Sequence, residues 1–140
     1  MVMLTPAQEV EVAQRVVATF DRYEWGQNAY ARGGDGALLR FTGAPDAVMA
    51  DASCLCLLGA IRVAVATVTR CRLPVDNADI EAVARLYVEA ADIEPVSRSS
   101  GMVLADWNDD PARTRDEVQE VASRVLDMVQ MNAMNRLREH

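Results

Sequence analysis

Apolar residues recur at every third or fourth position in the first segment of the chain, which is the pattern of one buried helix face. The residues that carry it are Val10, Ala13, Val17 and Phe20. Thr5, Pro6 and Gln8 precede them and form a helix start signal, with an N-cap hydroxyl, a proline in the first turn and an amide three residues after the cap. We therefore predict a first helix that ends near Tyr23 or Glu24.

The same spacing returns near the other end of the chain, at Val118, Val121, Val125 and Met128. Thr114 and Glu117 stand three residues apart ahead of this stripe and match the capping box of a helix start. Asp116 adds a negative charge to the first turn, which favours the helix dipole. The pattern predicts a last helix that runs to about Arg136.

The most apolar run of the chain lies between Cys54 and Thr69 and reads CLCLLGAIRVAVATVT. It is about 16 residues long and contains Arg62, whereas a membrane-spanning helix needs about 20 mostly apolar residues. We predict a buried central helix from roughly Ala52 to Thr69, and we expect no contact with a membrane.

Two shorter segments lie between the central and the last helix. Asp76 can cap a third helix, which Glu94-Pro95 should end. Its apolar side is formed by Ile80, Val83, Leu86 or Tyr87, and Ala90. Ser97–Gly101 is small and polar, which is typical of an exposed loop. Met102–Ala105 is short and apolar, and we expect it to be a strand.

A glycine-rich turn, GGDG at residues 33–36, separates residues 29–32 from residues 37–41. Glycine allows the positive φ angles of tight hairpin turns, so this segment favours a short β-hairpin. With the helices, it predicts a mainly α (α+β) fold: three longer helices around a buried central helix, with a small β-hairpin or three-stranded sheet. Residues 1–140 fit one globular domain, and the C-terminal helix can extend beyond its core.

The chain carries a net charge of −7, and all of its basic side chains are arginines. An acidic protein has no general attraction to phosphate backbones, so we predict no nucleic-acid partner. The N-terminal residues lack a basic stretch followed by an apolar one, so no secretory signal is expected. Three cysteines without such a signal indicate reduced thiols in the cytoplasm.

Cys56 is the candidate nucleophile, because a helix N-terminus lowers the pKa of a thiol. A cysteine nucleophile usually needs a histidine base, and the only histidine is the last residue, His140, where fraying is expected. Zinc binding by Cys54, Cys56 and Cys71 would need a fourth ligand. We interpret the cysteines as small buried apolar residues and predict no catalytic residue, no metal site and no cofactor.

The stretch DWNDDPARTRDEV, residues 106–118, concentrates acidic residues around Trp107. Most of it has a structural explanation, because asparagine and aspartate form turns and the stretch ends in a capping box. The alternative is a cation site formed by Asp106, Asp109 and Asp110, since carboxylates bind Mg²⁺ and Ca²⁺. Their spacing does not match the calcium-loop pattern, so the structural interpretation is favoured.

Three motifs occur in order along the chain: WGQNAYAR at residues 25–32, CLLGA at 56–60 and WNDDPARTRDEV at 107–118. They resemble W-x-Q-[GN]-A, C-x-L-G-A and W-N-D-x-P-x-R-T-x-x-E-V, the motifs of a family of small uncharacterised proteins from bacteria and their phages, which carries only a domain-of-unknown-function label. The resemblance covers about residues 8–128. The family usually has glycine where this chain has Asn28. Since the family has no assigned activity, the resemblance implies no catalytic residue.

Tryptophan and amide side chains of the first and third motifs form the candidate site. If the two motifs meet in the fold, they make a polar pocket flanked by tryptophans, which could bind a small ligand or a partner peptide. Its residues would be Trp25, Gln27, Asn28, Trp107, Asn108, Asp109 and Arg113. The alternative is that the two tryptophans only pack the hairpin against the helices.

The leading functional hypothesis is a non-enzymatic binding or regulatory module that acts through protein–protein interaction. Met128, Met131 and Met134 lie along the last helix, and methionine-rich surfaces adapt to partners, so a homodimer is expected. The alternative hypothesis is a small-molecule-binding protein or small enzyme that uses the two tryptophans with Asp109 and Arg113.

Overall fold

Six helices and three two-residue strands form the part of the chain that the computed structural model describes, residues 4–94 and 97–139. The helices are α1 (Pro6–Arg22), α2 (Pro45–Asp51), α3 (Leu57–Thr69), α4 (Asn77–Ala90), α5 (Ser100–Asn108) and α6 (Arg115–Arg138). The strands are β1 (Glu24–Trp25), β2 (Ala31–Arg32) and β3 (Cys54–Leu55). The protein is therefore mainly helical with a small mixed sheet, which confirms the predicted fold class.

The two long terminal helices begin at the predicted capping boxes. The Thr5 hydroxyl accepts a hydrogen bond from the Gln8 amide at 3.1 Å, and the Gln8 side chain accepts one from the Thr5 amide at 2.9 Å. Thr114 and Glu117 repeat the arrangement at the start of α6. Each box satisfies amides that have no partner inside the helix. Sequence and structure therefore agree on where both helices begin.

Helix α3 is the most buried element of the fold. Each residue from Leu57 to Ile61 is buried, and α3 contacts α1, α4 and α5, while α6 packs along α1 and α4. Phe20, Ile61 and Leu104 have no exposed surface, and burial of a side chain of this size stabilises a fold by about 1.5–3 kcal/mol. Over residues 4–94 and 97–139, no helix combines the length and apolar character needed to cross a bilayer.

The central helix begins later than predicted, at Leu57 instead of Ala52. The residues before it form β3, because the Ser53 amide donates to the Arg32 carbonyl at 2.8 Å and Cys54 pairs with Arg32 in the sheet. A strand partner that is distant in sequence leaves no mark on local periodicity. The apolar run alone therefore could not separate strand from helix.

The three strands follow the order β1–β3–β2, with β1 parallel and β2 antiparallel to β3. The glycine turn is present, since the Gly36 amide donates to the Gly33 carbonyl at 2.9 Å and Gly36 has a φ of 81°. The predicted hairpin across this turn is reduced to a single bridge between Arg32 and Leu38. The small sheet instead forms around β3, which leads directly into α3.

The prediction of a strand at residues 102–105 is wrong, because these residues lie inside α5. Ser99 caps α5, and the Glu81 carboxylate accepts hydrogen bonds from the amides of Ser100 and Gly101 at 2.7 and 2.9 Å. These bonds stabilise Ser100 and Gly101 as the first residues of α5, where a loop was predicted. The cap from Glu81 comes from another helix, so the local sequence does not contain it.

Helix α4 begins after the predicted cap, Asp76, but ends at Ala90, earlier than expected. Asp92 adopts a left-handed conformation with a φ of 56°, and the Ile93 amide donates to the Val88 carbonyl at 3.2 Å. A left-handed residue after the last turn is a common helix end. Pro95, at which the helix was predicted to stop, lies outside the described residues, as does His140.

Candidate functional site

Asn108, the last residue of α5, is a polar side chain without exposed surface. Its Oδ1 accepts hydrogen bonds from the Trp25 indole Nε1 at 2.7 Å and from the Leu57 amide at 3.0 Å. Its Nδ2 donates to the Gly26 carbonyl at 3.1 Å and to the Asp109 carboxylate at 3.0 Å. An amide side chain offers two donor hydrogens and two acceptor positions, and all four are used.

The same amide also caps a helix. Leu57 is the first residue of α3, and its amide has no partner inside that helix, so Asn108 supplies the acceptor from α5. The hydrogen bonds that join Asn108 to Trp25 and Gly26 also attach the segment that follows α1. One buried side chain therefore joins the β1 loop, the start of α3 and the end of α5.

Gln27 and Asp109 extend this connection to the surface. Gln27 Nε2 donates to the carbonyls of Asn108 and Asp110 at 3.0 and 2.8 Å. Asp109 Oδ1 also accepts from the Asn28 amide at 2.8 Å. Asn28 has a φ of 64°, a left-handed conformation that asparagine tolerates and that glycine adopts without steric cost. The left-handed backbone at this position therefore suits asparagine and would equally suit glycine.

Arg113 closes the network on the side of Trp107. Its guanidinium carbon lies 4.0 Å from the centre of the Trp107 ring, and its Nε donates to the Trp107 carbonyl at 2.9 Å. Its Nη1 donates to Glu117 at 2.8 Å. The amide of Thr114 and the side chain of Arg113 both donate to Glu117, and together they hold its pKa below the usual value. Arg113, which precedes α6, is thus bound to the first turn of that helix.

The seven residues predicted as a site all meet, and we call their linked set the clasp: Trp25, Gln27, Asn28, Trp107, Asn108, Asp109 and Arg113. Their hydrogen bonds run mainly to one another and to nearby backbone. The two motifs that carry them are far apart in sequence, and hydrogen bonds between Trp25 and Asn108 and between Asn28 and Asp109 bring them together in the fold. The arrangement is that of a structural joint, in which most of the polar groups already have partners.

The three aspartates weighed as a cation site have separate partners. Asp106 pairs with Arg98 at 2.6 Å, Asp110 Oδ1 accepts from the Ala112 amide at 2.9 Å, and Asp109 belongs to the clasp. Among residues 4–94 and 97–139, no three His, Cys, Asp or Glu side chains lie close enough together to hold a metal ion. Asp109 and Asp110 therefore stabilise the turn between α5 and α6, and Asp106 pairs with a residue just before α5.

An open cleft of about 380 Å³ lies directly beside the clasp. Most of its wall is apolar, and its lining residues are Asn28, Ala29, Tyr30, Ala31, Leu38, Leu39, Cys56, Ala105 and Asp109. Leu38 is 67% exposed at its edge. We call this cleft the apolar cleft. The sequence singled out Asn28 and Asp109 as candidate site residues and Cys56 as a candidate nucleophile. It does not mark the apolar lining, because alanine and leucine carry no chemical signal of a site.

Cys56 lies in the wall of this cleft and caps α3, with its Sγ accepting a hydrogen bond from the Gly59 amide at 3.2 Å. Burial raises the pKa of the Cys56 thiol to about 11, so the thiol stays protonated and unreactive at neutral pH. Cys54 is half-buried and Cys71 is exposed. The interpretation of the cysteines as buried residues is therefore right for Cys56 and wrong for Cys71.

The packing around Gly59 explains why the second motif has a glycine at this position. A Cβ at this position would lie 2.2 Å from the Tyr30 carbonyl oxygen. That carbonyl also accepts a hydrogen bond from the Cys56 amide at 3.1 Å. The helix can approach the Tyr30 backbone only where a side chain is missing, so Gly59 sets the distance between α3 and the wall of the apolar cleft.

Comparison with known proteins identifies a family and nothing beyond it. No curated protein and no solved structure matches the chain. A family model described as a family of unknown function, DUF6197, matches residues 1–127, which include all three motifs, the clasp and the apolar cleft. The chain belongs to this family of unknown function.

Proposed function

We propose that the protein is a non-enzymatic binding module that acts through protein–protein interaction, with the apolar cleft as the docking site. The partner segment would carry an apolar side chain next to a cationic group. One observation carries the proposal: the clasp uses its own polar groups, whereas the cleft beside it leaves an apolar wall open to solvent. Exposed apolar surface next to polar groups is typical of interaction sites.

The size of the cleft favours a side chain or a short segment as its occupant. Its volume of about 380 Å³ is near the lower end of the range of ligand pockets, roughly 300–1,000 Å³. Tyr30 is 40% exposed at the cleft and packs on Phe41 with ring centres 5.1 Å apart. An aromatic residue held in this way offers a rigid apolar contact, as many interface residues do.

Charge favours a basic partner. The chain has a net charge of −7, and Asp109 lies in the wall of the cleft. Only Oδ1 of Asp109 takes part in hydrogen bonds among the described residues, so Oδ2 can accept from a ligand. An acidic surface with a carboxylate at the site raises the rate of encounter with a cationic segment.

The proposal also covers the origin of the protein and its cellular compartment. The motifs favour an origin in bacteria or their phages, and the three free cysteines favour a reducing compartment such as the cytoplasm. Self-association into a homodimer is part of the same proposal, since methionines of α6 are exposed.

A small ligand is the second candidate, because the cleft that would take a peptide side chain could also take a small molecule. The version of this hypothesis that uses the two tryptophans with Asp109 and Arg113 has less support. Arg113 donates to Trp107 and Glu117, and the Trp25 indole donates to Asn108. A substrate would have to displace these bonds, and the protonated Cys56 offers no nucleophile in their place.

Selection of a random peptide library on the immobilised protein tests the proposal. We expect selected peptides to combine an apolar residue with lysine or arginine. Leu38→Glu should weaken their binding about tenfold or more, because it places a charge at the edge of the apolar wall. Asp109→Asn keeps the acceptor for Asn28 and removes the negative charge, and a weaker binding of the cationic peptides is expected.

Ala82→Glu is the matched control, since it adds the same charge at an exposed position of α4 and should leave binding unchanged. Peptide affinities are measured by fluorescence anisotropy, and folding of each variant by circular dichroism. Peptides that bind Leu38→Glu as tightly as the unchanged protein would contradict the docking site. A metabolite whose stabilising effect disappears in Leu38→Glu, with no peptide selected, would favour the small-ligand candidate instead.

A further inference from the structure

The C-terminal turns of α6 present an apolar face that the rest of the fold does not cover. Burial along α6 stops at Val129. Beyond it, Met131 is 65% exposed and Met134 is 55% exposed. Such exposed methionines on the last turns of a helix are open to a partner.

Charged residues stand on the same face as the two methionines. Asp127, Met131, Met134 and Arg138 follow one another at intervals of four, three and four residues, which places them along one side of a helix. They belong to the lining of a shallow groove of about 520 Å³, together with Gln130 and Asn135. We call this the methionine face.

Neither charged end of the methionine face has an ion-pair partner within the described chain. Asp127 and Arg138 are absent from the ion pairs formed among residues 4–94 and 97–139, although Arg124 on the same helix pairs with Glu120 at 2.6 Å. An acid at one end and a base at the other, both exposed, therefore remain available to a second molecule.

The methionine face is complementary to a reversed copy of itself. With a rise of about 1.5 Å per residue, Asp127 and Arg138 each lie about 8 Å from the point midway between Met131 and Met134. Two such helices in antiparallel order, centred on that point, bring the acid of each copy opposite the base of the other. Parallel order would bring like charges together. A contact of this kind is isologous and closes as a dimer.

We propose that two copies of the chain associate through the methionine face in antiparallel order. Met131 and Met134 of both copies pack at the centre, and Asp127 of each copy pairs with Arg138 of the other at the two ends. This interface rests on the proposed self-association and specifies it. The methionines supply most of the affinity, because exposed ion pairs add little to stability, and the charges set the relative direction of the helices.

Charge reversal provides a direct test. Asp127→Arg and Arg138→Asp each place like charges opposite one another at both ends of the dimer. We expect the dimer of each variant alone to have a dissociation constant about tenfold or more higher than that of the unchanged protein. An equimolar mixture of the two should form a mixed dimer, because every contact is then between opposite charges. The double variant, D127R with R138D, should also regain the dimer.

Sedimentation velocity of the full chain over a range of concentrations measures these states, with circular dichroism as the check of folding. Arg136→Asp is the matched control, because it reverses a neighbouring charge on the other side of α6 and should leave the dimer intact. Met131→Lys should abolish association. Failure of the mixture and of the double variant to dimerise would overturn the antiparallel interface, as would a monomeric unchanged protein. Peptide binding at the apolar cleft is measured separately, so failure of the interface is distinguishable from failure of the docking site.

Discussion

Asn108 is the residue at which three segments of the chain converge, and its role follows from the chemistry of one amide. It is buried, and both of its polar atoms have two partners. The sequence offered the meeting of the two tryptophan motifs only as a condition for a polar pocket. It could not show which atoms pair, because Trp25 and Asn108 are 83 residues apart and local patterns contain no such information.

Replacement of Asn108 by alanine should destabilise the fold strongly. The change leaves the Trp25 indole and the Leu57 amide without an acceptor, and each buried donor without a partner costs about 1–3 kcal/mol. We expect a loss of about 2–5 kcal/mol in the free energy of unfolding, measured by urea denaturation. Asn132→Ala, at an exposed position of α6, should change it by no more than about 0.5 kcal/mol. Equal effects of the two substitutions would show that the buried amide is not a joint.

At the scale of elements, the sequence predicted α1, α4 and α6 from their start signals and α3 from its apolar run, but it did not predict β3 or α5. Helices α1 and α6 begin at the capping boxes read from the sequence, and α4 follows its predicted cap, Asp76. Strand β3 and helix α5 depend on partners elsewhere, namely Arg32 and the Glu81 carboxylate. Apolar segments of this length fit either state, so tertiary contacts decide between strand and helix.

Gly59 tests the packing of α3 against the loop that carries Tyr30. Alanine normally stabilises a helix interior by about 1 kcal/mol relative to glycine. Here the added Cβ would lie 2.2 Å from a backbone carbonyl oxygen, so the helix or the loop must move, and overpacking of this kind costs about 1–3 kcal/mol. We therefore expect Gly59→Ala to lower the midpoint of thermal unfolding by several degrees.

Gly34→Ala is the matched control for that substitution, since a Cβ there meets nothing within 4 Å. Its unfolding midpoint, measured by differential scanning calorimetry, should stay close to that of the unchanged protein. A Gly59→Ala protein that is as stable as the original or more stable would contradict the close approach of α3 to Tyr30.

At the scale of the whole molecule, the clasp stabilises the fold, whereas the two exposed apolar surfaces are available to partners. It joins the sheet, the central helix and α5, and most of its polar groups have hydrogen-bond partners within the protein. The apolar cleft borders the clasp at Asn28 and Asp109, whereas the methionine face lies away from it, and both expose apolar residues. The sequence singled out the clasp residues as a candidate binding site and drew attention to Met131 and Met134, but the cleft arises only when Tyr30, Leu38 and Ala105 meet in the fold.

Hydrogen exchange at the two tryptophan indoles, followed by NMR in the free protein, tests the central claim most directly. The Trp25 indole donates to the buried Asn108 amide, whereas no hydrogen bond among the described residues involves the Trp107 indole. We predict that the Trp25 indole exchanges slowly, within about tenfold of the most protected backbone amides, because its release requires large-scale opening. The Trp107 indole should exchange much faster. A Trp25 indole that exchanges as fast as that of Trp107 would contradict the account, since the clasp would then be open and its polar groups available to a ligand.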